Sequence, residues 1–369
     1  MLYLPKSHAY AVVASIFALA GVCVGIAQAT NQSWTVVRDD NAVAILELVP
    51  HDSSGVRALK FSRADQSGNR LAPQEWRTVA QFRRWTGAWE TIAARRLSSG
   101  GWAIARTELA GGTNVLQYLR TDTDLRSLTT PIDRRPELIV SVRLVDQEPD
   151  ERPRLIDVSD PIIVEHGGQV YFIAQSYTMH QPPDDHVVWV APARTVDEPR
   201  SAGLSLQDGR IIATGENPRL AQMETRYIVA VQLRQPGVDG AWGRWVRLYG
   251  STDLERWEAF PNPPESFEFY SYGLCMAGKD LTLVGIVDTS RREDRGHRGA
   301  RQEYTPPVAL VTLVYDADKR SWGTRATRLD LPLTKNTQIN LLPPEASGGQ
   351  LKLIERSADG EFTMRSLAE

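Results

Sequence analysis

The residue types that could handle a polar ligand are spread along the whole chain. Three arginines, Arg106, Arg234 and Arg291 (or its neighbour Arg292), follow short apolar runs in separate stretches. Brought together, they could clamp one carboxylate through charge-assisted, forked hydrogen bonds. Taken singly, each reads as a solvated loop charge or a strut between elements. Tyr177 directly precedes, and His180 lies in, a segment, Thr178-Met-His-Gln-Pro-Pro-Asp-Asp-His186, whose two histidines and two aspartates are donor types for a divalent cation. Their spacing matches no compact metal motif, so no metal is expected, and no other cofactor either. Arg291 to Arg301 is a basic, glycine-containing stretch that reads as a solvated loop or a lid able to attract an acidic ligand. Cys275 sits in Tyr-Gly-Leu-Cys-Met-Ala, the setting of a small buried apolar residue rather than a nucleophile.

Composition limits what these residues can be for. The 369-residue chain has a formal net charge of −3 and no basic stripe, which argues against nucleic acid as a partner. Twenty-two prolines, 27 glycines and ten tryptophans suit a turn-rich β protein. At the N-terminus, Lys6 and His8 precede an apolar run from Ala11 to Ala27, and Ala27-Gln28-Ala29 offers a small-x-small cleavage site. Residues 1–29 therefore read as a signal peptide, giving a secreted or periplasmic protein with no stable membrane insertion after cleavage. The alternatives are an uncleaved anchor or a lipoprotein on Cys23, although Val22 is not the small residue a lipobox wants. Loss of Cys23 leaves Cys275 alone, so the mature chain depends on core packing without a disulfide.

The elements that must position these side chains are short strands. Ala44-Ile-Leu-Glu-Leu, Trp102-Ala-Ile-Ala, Val170-Tyr-Phe-Ile-Ala, Tyr227-Ile-Val-Ala-Val and Leu281-Thr-Leu-Val-Gly are apolar runs, mostly bounded by turn residues. Only Pro73 to Phe82 offers a helical pattern, and a poor one. Two features repeat. One is a hairpin, seen at Thr91 to Ala105, Asp160 to Ala174, Asn217 to Ala230, Tyr272 to Val284 and Asn340 to Ile354. The other is a polar turn marked by Asp65, Asp124, Asp197, Asp253 and Asp318, at spacings between 56 and 73 residues. Alternation of hairpin and turn predicts four-stranded antiparallel units stacked around an axis, an all-β propeller of six blades, or alternatively five, over residues 30–369. Ser33-Trp-Thr-Val-Val is expected to pair with strands in 350–367 and close the ring.

Ser251-Thr-Asp-Leu-Glu-Arg-Trp257 resembles the Asp box of sialidase-like β-propellers, and also a related turn of five-bladed glycosidases of the arabinanase and fructosidase type. Asp316-Ala-Asp-Lys-Arg-Ser-Trp322 looks like a weaker copy. In such turns Ser and Asp accept backbone N–H groups and the Trp plugs the turn from below, so Asp253 reads as structural. Asp160-Pro161 is similar to the Asp-Pro that opens a blade in five-bladed glycosidases, where the acid serves as base or nucleophile. The corresponding pair in the next unit is Asn217-Pro218. The resemblance further implies that strand starts and the loops after second strands share one ligand face. On it fall Asp160, Asn217, Tyr272, Arg106, Tyr177, His180, Arg234 and Arg291. A sialidase-like site would use Tyr272 with Glu268 or Glu265 as nucleophile pair, Asp160 as acid/base and the arginines on a carboxylate. The chain departs from sialidases in lacking an Arg-Ile-Pro motif near the mature N-terminus.

Two functions remain open from the sequence. One is glycoside hydrolysis, or other action on a glycan, in the axial cleft. The other is a non-catalytic propeller that binds a carbohydrate or a protein there, or serves as a scaffold. The expected partner is a glycan or other small polar ligand, with a protein as the alternative in the second function, and the protein is expected to be a monomer.

Overall fold

The computed structural model describes residues 34–39, 42–50, 56–67, 70–83, 91–110, 113–121, 137–148, 151–178, 186–197, 203–236, 242–289, 308–325, 339–342, 351–356 and 360–367. Every regular element among them is a β-strand. Among the described residues, no helix is long and apolar enough to cross a membrane.

The strands form successive antiparallel ladders. The first contains β1 (Trp34–Asp39), β2 (Ala42–Pro50) and β3 (Val56–Ser67), with β4 (Arg70–Pro73) and β5 (Arg77–Arg83) pairing to opposite ends of β3. The second is β6 (Thr91–Arg96), β7 (Trp102–Ala110), β8 (Thr113–Thr121) and β9 (Glu137–Leu144). In the third, β10 (Leu155–His166), β11 (Gln169–Thr178) and β12 (His186–Pro192) are followed by a short β13 (Thr195–Asp197) and by β14 (Leu204–Thr214). The fourth comprises β15 (Glu216–Met223), β16 (Arg226–Pro236), β17 (Trp242–Ser251) and β18 (Glu258–Phe260). The fifth comprises β19 (Phe269–Ala277), β20 (Asp280–Asp288), β21 (Val308–Asp316) and β22 (Ser321–Arg325). The last contains β23 (Leu341–Leu342), β24 (Lys352–Arg356) and β25 (Phe362–Ser366), and its outer strand is β4, contributed from the other end of the chain.

Each ladder is apolar on both faces, because neighbouring residues of a strand point to opposite sides and both sides are buried. In β2, Ala44 and Leu46 pack with Ile92, Trp102 and Ile104 of the second ladder. Val43 and Ile45, one residue out of phase, pack with Leu342, Ile354 and Phe362 of the last. The same division separates Ile163, which faces the second ladder, from Ile162 and Val164, which face the fourth. Further apolar layers join the fourth ladder to the fifth and the fifth to the last. First strands touch in the same order: β1 meets β6, β6 meets β10, β10 meets β15, β15 meets β19, β19 meets β23, and β23 meets β1. Such layered antiparallel sheets are consistent with a propeller.

Some details differ from the sequence-based expectations. β1 pairs with β2 and not with β24 or β25; Trp34 instead packs edge-on against Phe362, ring centroids 5.2 Å apart. The pairing strand is β4, because the hairpin around Ser67 carries the chain past its own ladder to Leu71 and its partner Phe362. Asp65 therefore lies inside β3 rather than in a turn between strands of one sheet. Asp197 likewise closes a short strand, paired to Leu204. Pro73 to Phe82 holds no helix: Pro73 ends β4, residues 74–76 connect, and Arg77 to Phe82 lie in β5 along the edge of β3. The turn marked by Asp124 lies outside the described residues.

Candidate functional site

The first strands of three ladders each open on an irregular step. β10 slips its register against β11 on both sides of Ser159, and Asp157 and Asp160 take φ of 61° and 48°. β15 slips between Glu216 and Arg219, with Asn217 at φ 53°. β19 slips between Phe269 and Ser271. Asp and Asn tolerate the left-handed region because their short polar side chains can satisfy nearby backbone groups. A following proline lacks the N–H that would continue the ladder, which favours a bulge there. Bulges break the strict alternation of faces and re-aim single side chains. Asp160 and Asn217 are thus equivalent positions in adjacent ladders.

A polar network links these three openings. Gln175 Oε1 on β11 accepts the Asn217 backbone N–H at 2.6 Å. Asn217 Nδ2 donates to Gln232 Oε1 at 2.9 Å, and Gln232 Nε2 donates onward to the Phe269 carbonyl at 2.6 Å. The Tyr272 hydroxyl lies 2.5 Å from the Asn217 carbonyl and 3.3 Å from that of Ala230. Arg219 donates through Nε to the Tyr272 carbonyl at 3.2 Å and through Nη1 to the Pro218 carbonyl at 2.8 Å, with its guanidinium 5.7 Å from the centre of the Tyr272 ring. His186 Nδ1 stands 3.8 Å from Glu216 Oε2, and its ring lies 4.0 Å from that of Tyr177.

The electrostatics centre on Asp160. It is only 6 % exposed, and burial pushes its carboxyl up to about 6; the Glu216 charge adds to the rise and Arg219 opposes it. Glu216 is itself 6 % exposed. Burial also drives the Tyr272 phenol well above its ordinary range, with Arg219 opposing and Glu216 and Asp160 adding to the rise. Two carboxyl groups, one guanidinium and one phenol therefore share a low-dielectric site, and one of the acids can hold its proton near neutrality. Such a set can donate or accept a proton and can hydrogen-bond the hydroxyls of a polar ligand.

The structure brings together Asp160, Asn217 and Tyr272 from the expected set, and places Tyr177 beside them through His186. Arg106 does not stand free to clamp a ligand: 2 % exposed, it pairs with Glu108 on its own strand, and its Nε donates to Gln117 at 2.8 Å. The alternative acid Glu265 is drawn away from Tyr272, since its carboxylate pairs with Arg247 at 2.9 Å. Glu268 precedes the β19 bulge, and its carbonyl accepts the Asp288 N–H at 3.2 Å. Arg234 lies on β16 opposite Arg244. His180 and Arg291 fall outside the described residues. Sequence reasoning missed Glu216, Arg219, Gln175 and Gln232. The one local sign was Glu216 standing directly before the Asn-Pro step.

The opposite end of the ladders carries the turn chemistry. Ser251 Oγ accepts the Leu254 N–H at 2.9 Å, while Asp253 Oδ1 accepts those of Glu255 and Arg256 at 2.8 and 2.9 Å. Leu254 takes φ of 64°, and Trp257 donates to its carbonyl at 3.2 Å. A cleft of about 490 Å³ beside the corresponding turn of the fifth ladder is lined by Lys279, Asp280, Asp316, Asp318 and Arg325. Two of its three carboxylates are engaged: Asp280 pairs with Arg325 at 3.8 Å, and Asp316 pairs with Lys319, outside the lining, at 2.6 Å. The network around Asp160 is therefore the better candidate site.

No family model matches the chain, and no curated protein matches it in sequence. Solved structures do align along most of its length. An α-L-arabinanase of Penicillium chrysogenum, solved with arabinobiose, matches at 9 % identity and TM-score 0.49, covering 93 % of each chain. A GH93 α-L-arabinofuranosidase of Fusarium graminearum, also with arabinobiose, matches at 11 % identity and TM-score 0.49, over 94 % of this chain and 93 % of the other. A Trypanosoma rangeli sialidase in complex with the inhibitor DANA matches at 10 % identity and TM-score 0.44, over 92 % of this chain and 54 % of the other. These neighbours have β-propeller folds.

Proposed function

We propose that residues 30–369 form one six-bladed propeller, exported once residues 1–29 are removed, that binds a glycan on the face where the first strands begin. Support for six blades rather than five comes from the closed order in which the first strands touch. The turn at Ser251 to Trp257 fits the Asp box its sequence resembles. The observation that carries the functional reading is the buried Asp160 carboxyl, set on a left-handed bulge and joined electrostatically to Glu216 and Arg219 from the next ladder. Such an arrangement keeps polar groups out of water, as a site for hydroxyl-rich ligands does.

A second reading, hydrolysis of a glycosidic bond, draws on one further feature. Asp160, its carboxyl pushed up to about 6, and Glu216 are two buried acids from adjacent ladders, and a pair of acids is what glycoside cleavage uses. In this reading Asp160 donates the proton and Glu216 takes the role that the sequence assigned to Glu268. Tyr272, its hydroxyl committed to backbone carbonyls, acts as a positioning residue. The test is a glycan array on the mature chain, followed by a product assay on every glycan retained. Binding with turnover that Asp160→Asn abolishes supports the hydrolase, and its rate should fall as pH rises above about 6. Binding without product leaves the first reading and removes the second. No retained glycan removes both.

A further inference from the structure

The other end of the axis holds a buried cation that the site above does not use. Arg95 lies near the end of β6, is 6 % exposed, and has no hydrogen-bond partner at Nε or Nη1. Along β6, Ala93 packs in the layer shared with Ile163 of the third ladder, so Arg95, two residues on, faces the same way. Glu165 stands two residues beyond Ile163 and faces back. The two interact through space: burial weakens the hold of Arg95 on its proton, and Tyr227 and Glu165 oppose that effect.

Glu165 is already engaged. Its Oε2 accepts the Ser98 backbone N–H at 2.7 Å and its Oε1 accepts the Ser98 hydroxyl at 2.6 Å. The Tyr227 hydroxyl lies 3.3 Å from the Glu165 carbonyl and 3.2 Å from His166 Nδ1. Arg95, Ser98, Glu165, His166 and Tyr227 thus come from three successive ladders and meet where the first strands finish, at the opposite end from Asp160.

A guanidinium keeps its proton even when buried, and a buried charge lacking a hydrogen-bonded partner is costly. Water would occupy the free N–H groups without balancing the charge. A small anion does both, since it accepts N–H groups on a guanidinium whose nearest carboxylate is held by Ser98. We propose that this end of the axis binds a small inorganic anion, a halide or a phosphate-sized oxyanion, on Arg95 with the Tyr227 hydroxyl beside it. The inference is independent of any glycan chemistry at the other end.

The experiment uses the full mature chain. Chloride, bromide and phosphate are titrated at constant ionic strength, made up with sodium gluconate, while the unfolding temperature is followed. A saturable rise is expected, and it should vanish in Arg95→Met, which fills similar space without donors or charge. Without added anion, Arg95→Met should melt no lower than the parent chain. No saturable rise, or an equal rise in the variant, overturns the proposal. Should Arg95→Met fail to fold, bromide-soaked crystals of the parent chain decide. An anomalous peak within hydrogen-bonding distance of Arg95 supports the site, and water alone at that position overturns it.

Discussion

Asp160 is held in its place at a cost that pH can reveal. Its carboxyl titrates at about 6 in the folded chain against an ordinary value of 3.8. A raised value means that the folded state binds the proton more tightly than the unfolded one. The stability it contributes is complete below about pH 4 and is lost as pH rises through about 6. Asn217 shows that an asparagine suits the same bulge. Asp160→Asn should therefore leave stability near pH 4 little changed and raise it at pH 8, by up to about 3 kcal/mol. Urea unfolding at the two pH values measures this, and a difference that does not change with pH would count against the buried charge. Asp160 and Asn217 were legible in the sequence because an X-Pro step marks each. Glu216 had one local sign, its place directly before Asn217-Pro218, but its approach to Asp160, like that of Arg219, comes from the stacking of separate ladders and leaves no local pattern, and the two glutamines had no sign at all.

At the scale of elements, turns and close strand approaches carry the specificity. Asp253 receives the backbone N–H groups of Glu255 and Arg256, and these hold its carboxyl below the usual range, the Arg256 N–H most of all. Asp253→Ala should cost about 1–2 kcal/mol at neutral pH. The loss should shrink as pH falls below the ordinary carboxylate value, where the parent turn also gives up its charge. Denaturant unfolding at pH 7 and pH 3 compares the two. At the rim, β14 pairs in parallel with β9, so the outer strands of the second and third ladders are joined directly. That approach leaves no room for a side chain at Gly209, where a Cβ would lie 2.6 Å from a Val142 methyl and 3.1 Å from the Arg143 carbonyl. Gly209→Val should cost about 2 kcal/mol or more, read as a lowered urea midpoint. Hairpins were readable because each is a pair of apolar runs about a tight turn. The parallel rim contact was not, since Gly209 looks like an ordinary turn glycine in sequence.

Over the whole molecule, the repeat could be read because every ladder buries two faces, which writes nearly continuous apolar runs into its strands. How the ends meet could not. The segment around Asp65 shares the composition of the other polar turns, yet it carries β4 across to β25. Phe362, buried against Trp34 and paired with Leu71, fixes that junction. Phe362→Ala should cost about 3–5 kcal/mol, and a single cooperative transition at lower denaturant would show that the loss is felt throughout. The junction also sets an order of events. Leu71 is synthesised long before Phe362, and until the C-terminus is available the outer edge of β4 has no hydrogen-bonding partner. Such distant pairing is slow to form and leaves an open strand edge in the meantime. A chain stalled or cut before β25 would present that edge to its neighbours, so shortened forms of this protein should clump where the intact chain stays dispersed.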